Sequence, residues 1–198
     1  MKMRYVLVGL VAVAVAVITA MGVMEWQRRE MVAAEHVAPI DLGGPFTMMA
    51  HDGRTVTQED LVGRRALIFF GFTTCPEICP ATLNEVSIWL DALGDDGAMI
   101  DPYFVSVDPE RDTQERMAEY VSYFSPRIMG LVGTDAQLAE MARGYKVYYA
   151  RIDLDDGDYT MDHTAAIYLM DTDGNFHDAI THSATREEAI AKLRAWAG

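Results

Sequence analysis

"FGFTTCPEICPATL", Phe70 to Leu83, decides how this chain reads. It holds Cys75 and Cys79, the only two cysteines among 198 residues, and a proline follows each one. Before it runs "RALIFFGF", Arg65 to Phe72, an unbroken apolar stretch rich in aliphatic and aromatic residues. Such a run predicts a central strand buried on both faces. After it, Pro80 suits the first turn of a helix, where its missing N–H costs nothing. Leu83, Val86, Trp89, Leu90 and Leu93 then follow helical spacing, and Gly94 stops the helix. The cysteine pair is therefore expected in the loop and first helical turn that follow a buried strand. A helix N-terminus offers unpaired N–H groups and positive potential, which favour thiolates.

A close cysteine pair allows three roles: a structural staple, a redox couple or a pair of metal ligands. A staple here would close a very small loop, and small loops gain the least stability. A redox couple needs only an accessible thiolate. As ligands, two thiolates favour soft metals. An iron–sulfur cluster wants about four cysteines, and structural zinc wants four ligands, commonly in paired motifs. Copper accepts two thiolates and one nitrogen. The residues alone leave redox couple and copper clamp both open.

Outward from this stretch the chain alternates strands and helices. "FTMMAHDGRTV", Phe46 to Val56, carries Asp52-Gly53 between short apolar runs, a hairpin signal. Thr57 with Asp60 predicts a capped single turn. "YFVSV", Tyr103 to Val107, predicts the second buried strand. "DPERDT" turns the chain into a helix near Thr113 to Phe124, with Asp112 as its expected N-cap, a reading preferred to Asp108, Glu110 or Arg111 standing near the site. A short strand is expected at Ile128 to Val132. Thr134 with Gln137 forms a capping box. Tyr145 to Met161 predicts a β-hairpin with an acidic tip, "DLDDGD". "AAIYLM", Ala165 to Met170, and Phe176 to Ile180 predict two more strands. Thr185 with Glu188 opens the last helix. A β-α-β start followed by antiparallel strands and a helix outlines a thioredoxin-like α/β fold. Its mixed sheet would be flanked by helices and extended by an N-terminal hairpin and an inserted hairpin.

Composition sets the wider frame. Hydrophobic residues make up 51% and charged residues 23%, enough for a packed core. A net charge of −14 argues against nucleic acid as partner. Tyr5 to Met24, "YVLVGLVAVAVAVITAMGVM", is uncharged and about one bilayer crossing long as a helix. A cleaved signal usually has a shorter apolar region, about 7–15 residues, and "TAMGVM" offers no Ala-x-Ala site. The expected organisation is a membrane anchor at 1–24, a juxtamembrane linker at 25–45 and a thioredoxin-like domain at 46–198. Lys2 and Arg4 before the anchor balance Arg28 and Arg29 after it, so charge leaves the orientation open.

Five histidines are candidates for a nitrogen ligand. His36 falls in the linker, His51 at a hairpin turn, and His177 and His182 flank a strand. His163, in "DYTMDHTAAIYLM", precedes an antiparallel strand. In a thioredoxin-like topology the loop before that strand faces the cysteine loop, so only His163 is delivered to the thiols. A copper relay through the 13 methionines is not favoured, with Met48, Met49 and Met161 as weak exceptions. "DTDG" fails as a calcium loop, because no glutamate follows at the required distance.

"GFTTCPEICP", "VDPERDT" and "DHTAAIYLMDTDG", in this order, resemble the Sco/SenC family of membrane-anchored copper-binding proteins that assist cytochrome c oxidase assembly. The resemblance runs from about Phe46 to the C-terminus. It implies a thioredoxin-like fold and a site for Cu(I) or Cu(II) built from Cys75, Cys79 and His163. It also implies one N-terminal span in the inner membrane, with the domain in the periplasm or the mitochondrial intermembrane space. The implied partners are the copper-bearing subunit of cytochrome c oxidase, a periplasmic copper donor and a thiol reductant. The expected role is that of a metallochaperone rather than an enzyme. The alternative is a thiol–disulfide oxidoreductase using Cys75 and Cys79 on the oxidase subunit or in redox signalling.

Overall fold

The structure is a computed structural model that describes residues 19–22, 24 and 42–197. The chain divides into two units, Met1–Ile40 and Asp41–Gly198. In the first, residues 19–22 and 24 are helical. Among the described residues no helix is long and apolar enough to cross a membrane. The anchor expected at 1–24, the linker at 25–45 and His36 fall wholly or largely outside the described residues.

The second unit is built on a seven-stranded mixed sheet. Its strands are β1 (Thr47–Ala50), β2 (Thr55–Thr57), β3 (Arg65–Gly71), β4 (Ile100–Ser106), β5 (Met129–Val132), β8 (Ala166–Met170) and β9 (Phe176–Thr181), in the order β2-β1-β5-β4-β3-β8-β9. β3 runs parallel to β4 and β4 to β5, whereas β8 is antiparallel to both β3 and β9. α1 (Ile78–Leu93) joins β3 to β4, and α2 (Gln114–Ser122) joins β4 to β5. α3 (Asp135–Gly144) follows β5, and α4 (Arg186–Ala197) closes the chain against α1. A parallel β-α-β unit continued by an antiparallel pair and a helix is the thioredoxin-like arrangement expected from the sequence. β6 (Tyr149–Asp153) and β7 (Tyr159–His163) form a separate hairpin sheet between α3 and β8.

The apolar run "RALIFFGF" sits where its composition sends it. β3 lies between β4 and β8, and Ala66 to Gly71 are buried without interruption. α1 turns Leu83, Val86, Trp89, Leu90 and Leu93 into the core at helical spacing. The helix starts at Ile78, two residues before Pro80. Pro80 remains in the first turn, where a missing N–H loses no bond. Cys79 thereby lies in the first turn of the helix, as expected.

One expected cap is corrected. α2 is capped by Thr113, whose side chain accepts from the N–H of Arg116, and not by Asp112. Asp112 instead turns inward and is 3% exposed. The two residues are neighbours and both have cap chemistry. Buried donors available to the longer charged side chain decide between them.

Candidate metal centre

β3 ends at Gly71, and the chain then loops through Thr73 to Glu77 into α1. The N–H of Cys75 donates to the carbonyl of Phe72 at 3.2 Å, which turns the loop back on the strand. Cys79, in the first turn of α1, is fully buried, whereas Cys75 is half-buried. Both are free thiols. The N–H of Cys79 points at the sulfur of Cys75 at 3.4 Å. The helix start thus supplies a donor to Cys75, as a thiolate there requires.

His163 closes β7 and stands immediately before the turn into β8. Its Nε2 lies 3.8 Å from the sulfur of Cys79. Its Nδ1 is 3.1 Å from the carbonyl of Thr164. A carbonyl only accepts, so Nδ1 carries a hydrogen and Nε2 is the ring nitrogen that faces the sulfurs. Phe69 and Phe72 meet the imidazole edge-on, at centroid distances of 6.2 and 5.8 Å, and fix its plane.

The two thiols are electrically unequal. Cys75 is held well below the ordinary thiol range, first by the hydrogen bond from the Cys79 thiol, with His163 and the Cys79 N–H adding to it. Cys79 is pushed far above that range, first by the same hydrogen bond to Cys75 and then by burial. The pair therefore holds one proton, on the buried sulfur. Cys75, the more accessible sulfur, is the thiolate.

A cleft of about 280 Å³ opens beside Cys75 and His163, lined also by Phe72, Glu77 and Met161. Two cysteine sulfurs and an imidazole nitrogen suit a soft cation, and copper is the first-row ion that accepts so few donors. The spacing agrees. Bonds of about 2.3 Å to sulfur and about 2.0 Å to nitrogen, the values for zinc, put two ligands about 3.7 Å apart at a trigonal angle. Among the described residues no three His, Cys, Asp or Glu side chains are already drawn tight enough to hold an ion. Cys79 and His163 stand at the needed distance. His51, by contrast, is occupied structurally, its Nδ1 accepting from the N–H of Gly130 at 3.0 Å. His177 rests near the ring of Trp196. Met48 is fully buried in the core, and Met49 is exposed on β1.

Support for the cysteine loop comes from residues the sequence reading did not assign to the site. Asp112 accepts from the hydroxyls of Thr73 and Ser106, each at 2.6 Å, and from the N–H of Thr73 at 3.1 Å. Burial pushes its carboxyl above the usual range, and these bonds work against that shift. The available signal was a third acid in "DPERDT", six residues after a buried strand, which cap chemistry alone does not demand.

The family model described as SCO1/SenC matches residues 34–198. The chain belongs to the SCO1/SenC family. Among solved structures, that of Bradyrhizobium japonicum ScoI with copper bound is 46% identical with a TM-score of 0.72, covering 78% of this chain and 99% of that one. Arabidopsis thaliana ScoI with copper bound is 36% identical with the same TM-score and coverage. Among curated relatives, the human mitochondrial SCO1 homolog is 39% identical over 170 residues, 84% of this chain. That alignment spans 56% of the human protein, so the chain matches about half the length of this SCO1/SenC relative.

Proposed function

We propose that this chain is a membrane-anchored copper chaperone that holds Cu(I) or Cu(II) through Cys75, Cys79 and His163. In this reading it passes the ion to the dinuclear copper centre of cytochrome c oxidase during assembly. The carrying observation is the Nε2 of His163 standing 3.8 Å from the Cys79 sulfur. A staple or a plain redox couple has no need of a third donor there. Copper-bound structures of family members support the ion, and the resemblance of the three motifs implies the recipient. The thiolate of Cys75 and the imidazole are ready as ligands, and Cys79 gives up its proton as the ion enters. Residues 5–24 would anchor the chain, with the domain in the periplasm or intermembrane space. The test is direct: the reduced domain should retain one copper ion per chain against a modest chelator. Failure to retain it would end this reading.

A second reading rests on a separate observation, the half-exposed Cys75 thiolate beside a buried thiol. That is the layout of a thiol–disulfide oxidoreductase. Cys75 would attack a disulfide of the oxidase subunit, and Cys79 would release the mixed disulfide. Two electrons pass to the substrate and a Cys75–Cys79 disulfide remains, to be reset by a thiol reductant. His163→Ala separates the readings: copper retention falls under the first, whereas disulfide reduction persists under the second.

A further inference from the structure

The β6–β7 hairpin carries His163 at its end yet shares no ladder with the main sheet. A two-stranded hairpin is marginal on its own in water. Something else must hold it. Tyr159, the first residue of β7, is 8% exposed, and its hydroxyl donates to Asp108 Oδ1 at 2.8 Å. The other oxygen of Asp108 accepts from Arg111 Nε at 2.5 Å. Arg111 Nη1 donates in turn to the carbonyl of Tyr159 at 2.9 Å, which closes a ring of three residues. The guanidinium of Arg111 also lies 3.6 Å over the Tyr159 ring, and that of Arg151 from β6 lies at the same distance. Two guanidiniums this close cannot share one face, so the ring is sandwiched between cations.

The ring of contacts leads on to the cysteine loop. Asp108, 2% exposed, donates its N–H to Ser106 Oγ at 3.0 Å. That hydroxyl donates to Asp112, which holds Thr73 two residues before Cys75. The histidine-bearing hairpin and the cysteine-bearing loop therefore hang on one buried polar chain. Tyr159 and His163 lie on the same face of β7, about 13 Å apart along an extended strand. Such a strand carries a displacement of one end to the other.

We propose that Tyr159, Arg111 and Asp108 form a latch that fixes the β6–β7 hairpin and so sets His163 against the thiols, making Tyr159 and Arg111 positioning residues for the nitrogen ligand. The proposal rests on the reading of His163 as that ligand. Tyr159→Phe keeps the sandwich and loses the hydroxyl; Tyr159→Leu loses both.

The experiment measures Cu(I) affinity of the reduced chain against bicinchoninate, and the nitrogen hyperfine coupling of the Cu(II) form. Tyr159→Leu should weaken binding roughly ten- to a hundredfold, as loss of outer-shell support does elsewhere, and should weaken the nitrogen coupling while both thiols still titrate. Tyr159→Phe should fall between it and the parent chain. In a His163→Ala background Tyr159→Leu should cost nothing further, because the ligand it positions is gone. Should Tyr159→Leu fail to fold, Tyr159→Phe carries the same cycle. A loss that adds fully to that of His163→Ala would overturn the latch. So would parental affinity and coupling in both Tyr159 variants when His163→Ala alone loses copper. Parental copper binding in His163→Ala would instead remove the three-ligand reading, and the latch with it.

Discussion

A Cβ on Gly71 would lie 2.7 Å from the sulfur of Cys79 and 2.6 Å from the ring of Phe104. The missing side chain is what lets a fully buried thiol back onto the end of β3. Gly71→Ala should therefore push the sulfur out of line and overpack the core, at a cost of about 1–3 kcal/mol. Urea unfolding of the reduced protein measures the loss. Copper affinity should fall with it, and an unchanged midpoint would show that the strand end yields freely.

The unequal thiols give a pH signature. Cys75 sits below its ordinary value of 9.0, chiefly through the Cys79 thiol. Its alkylation by iodoacetamide should stay fast well into the acidic range, with Cys79 almost inert. Cys79→Ala removes the largest cause and should move the Cys75 profile back up toward 9.0. The sign for stability follows from linkage. Below 9.0 the folded state has released a proton that the unfolded thiol still holds, so reduced-state stability rises with pH across that window. It is lost as pH falls through the folded value. A flat profile for the reduced protein, measured against the Cys75→Ser variant, would contradict this.

Asp112 should matter more to the cysteine loop than to α2. Asp112→Ala strands the N–H of Thr73 and two hydroxyls in a buried place, which costs about 1–3 kcal/mol. Thr113→Ala removes the true cap of α2 and should cost about 1 kcal/mol. Thermal unfolding ranks the two, and only Asp112→Ala should also change the reactivity of Cys75.

These cases show what the sequence could carry. β3, α1 and the caps at Thr57 and Thr134 were legible because each rests on local periodicity or a three-residue spacing. The pairing of Cys79 with His163, 84 positions apart, was reachable only through topology and family resemblance. The structure brings the two together. The role of Asp112 was not legible, because cap chemistry is written in the residue type and burial is not. Asp108 and Arg111 were open to a place near the site, but their ring with Tyr159 was hidden for a related reason. It joins a turn to a hairpin some fifty residues later, and nothing periodic marks either partner.

The central claim is that His163 is a copper ligand beside Cys75 and Cys79. The most direct measurement is Cu(I) affinity of the reduced chain and of His163→Ala by competition against a chelator. The account predicts one ion per chain in the parent and at least tenfold weaker binding in His163→Ala, the low end of what loss of even an outer-shell partner costs, with both thiols still free to react. Equal affinity in the two proteins would contradict it and leave the cysteine pair as a redox couple.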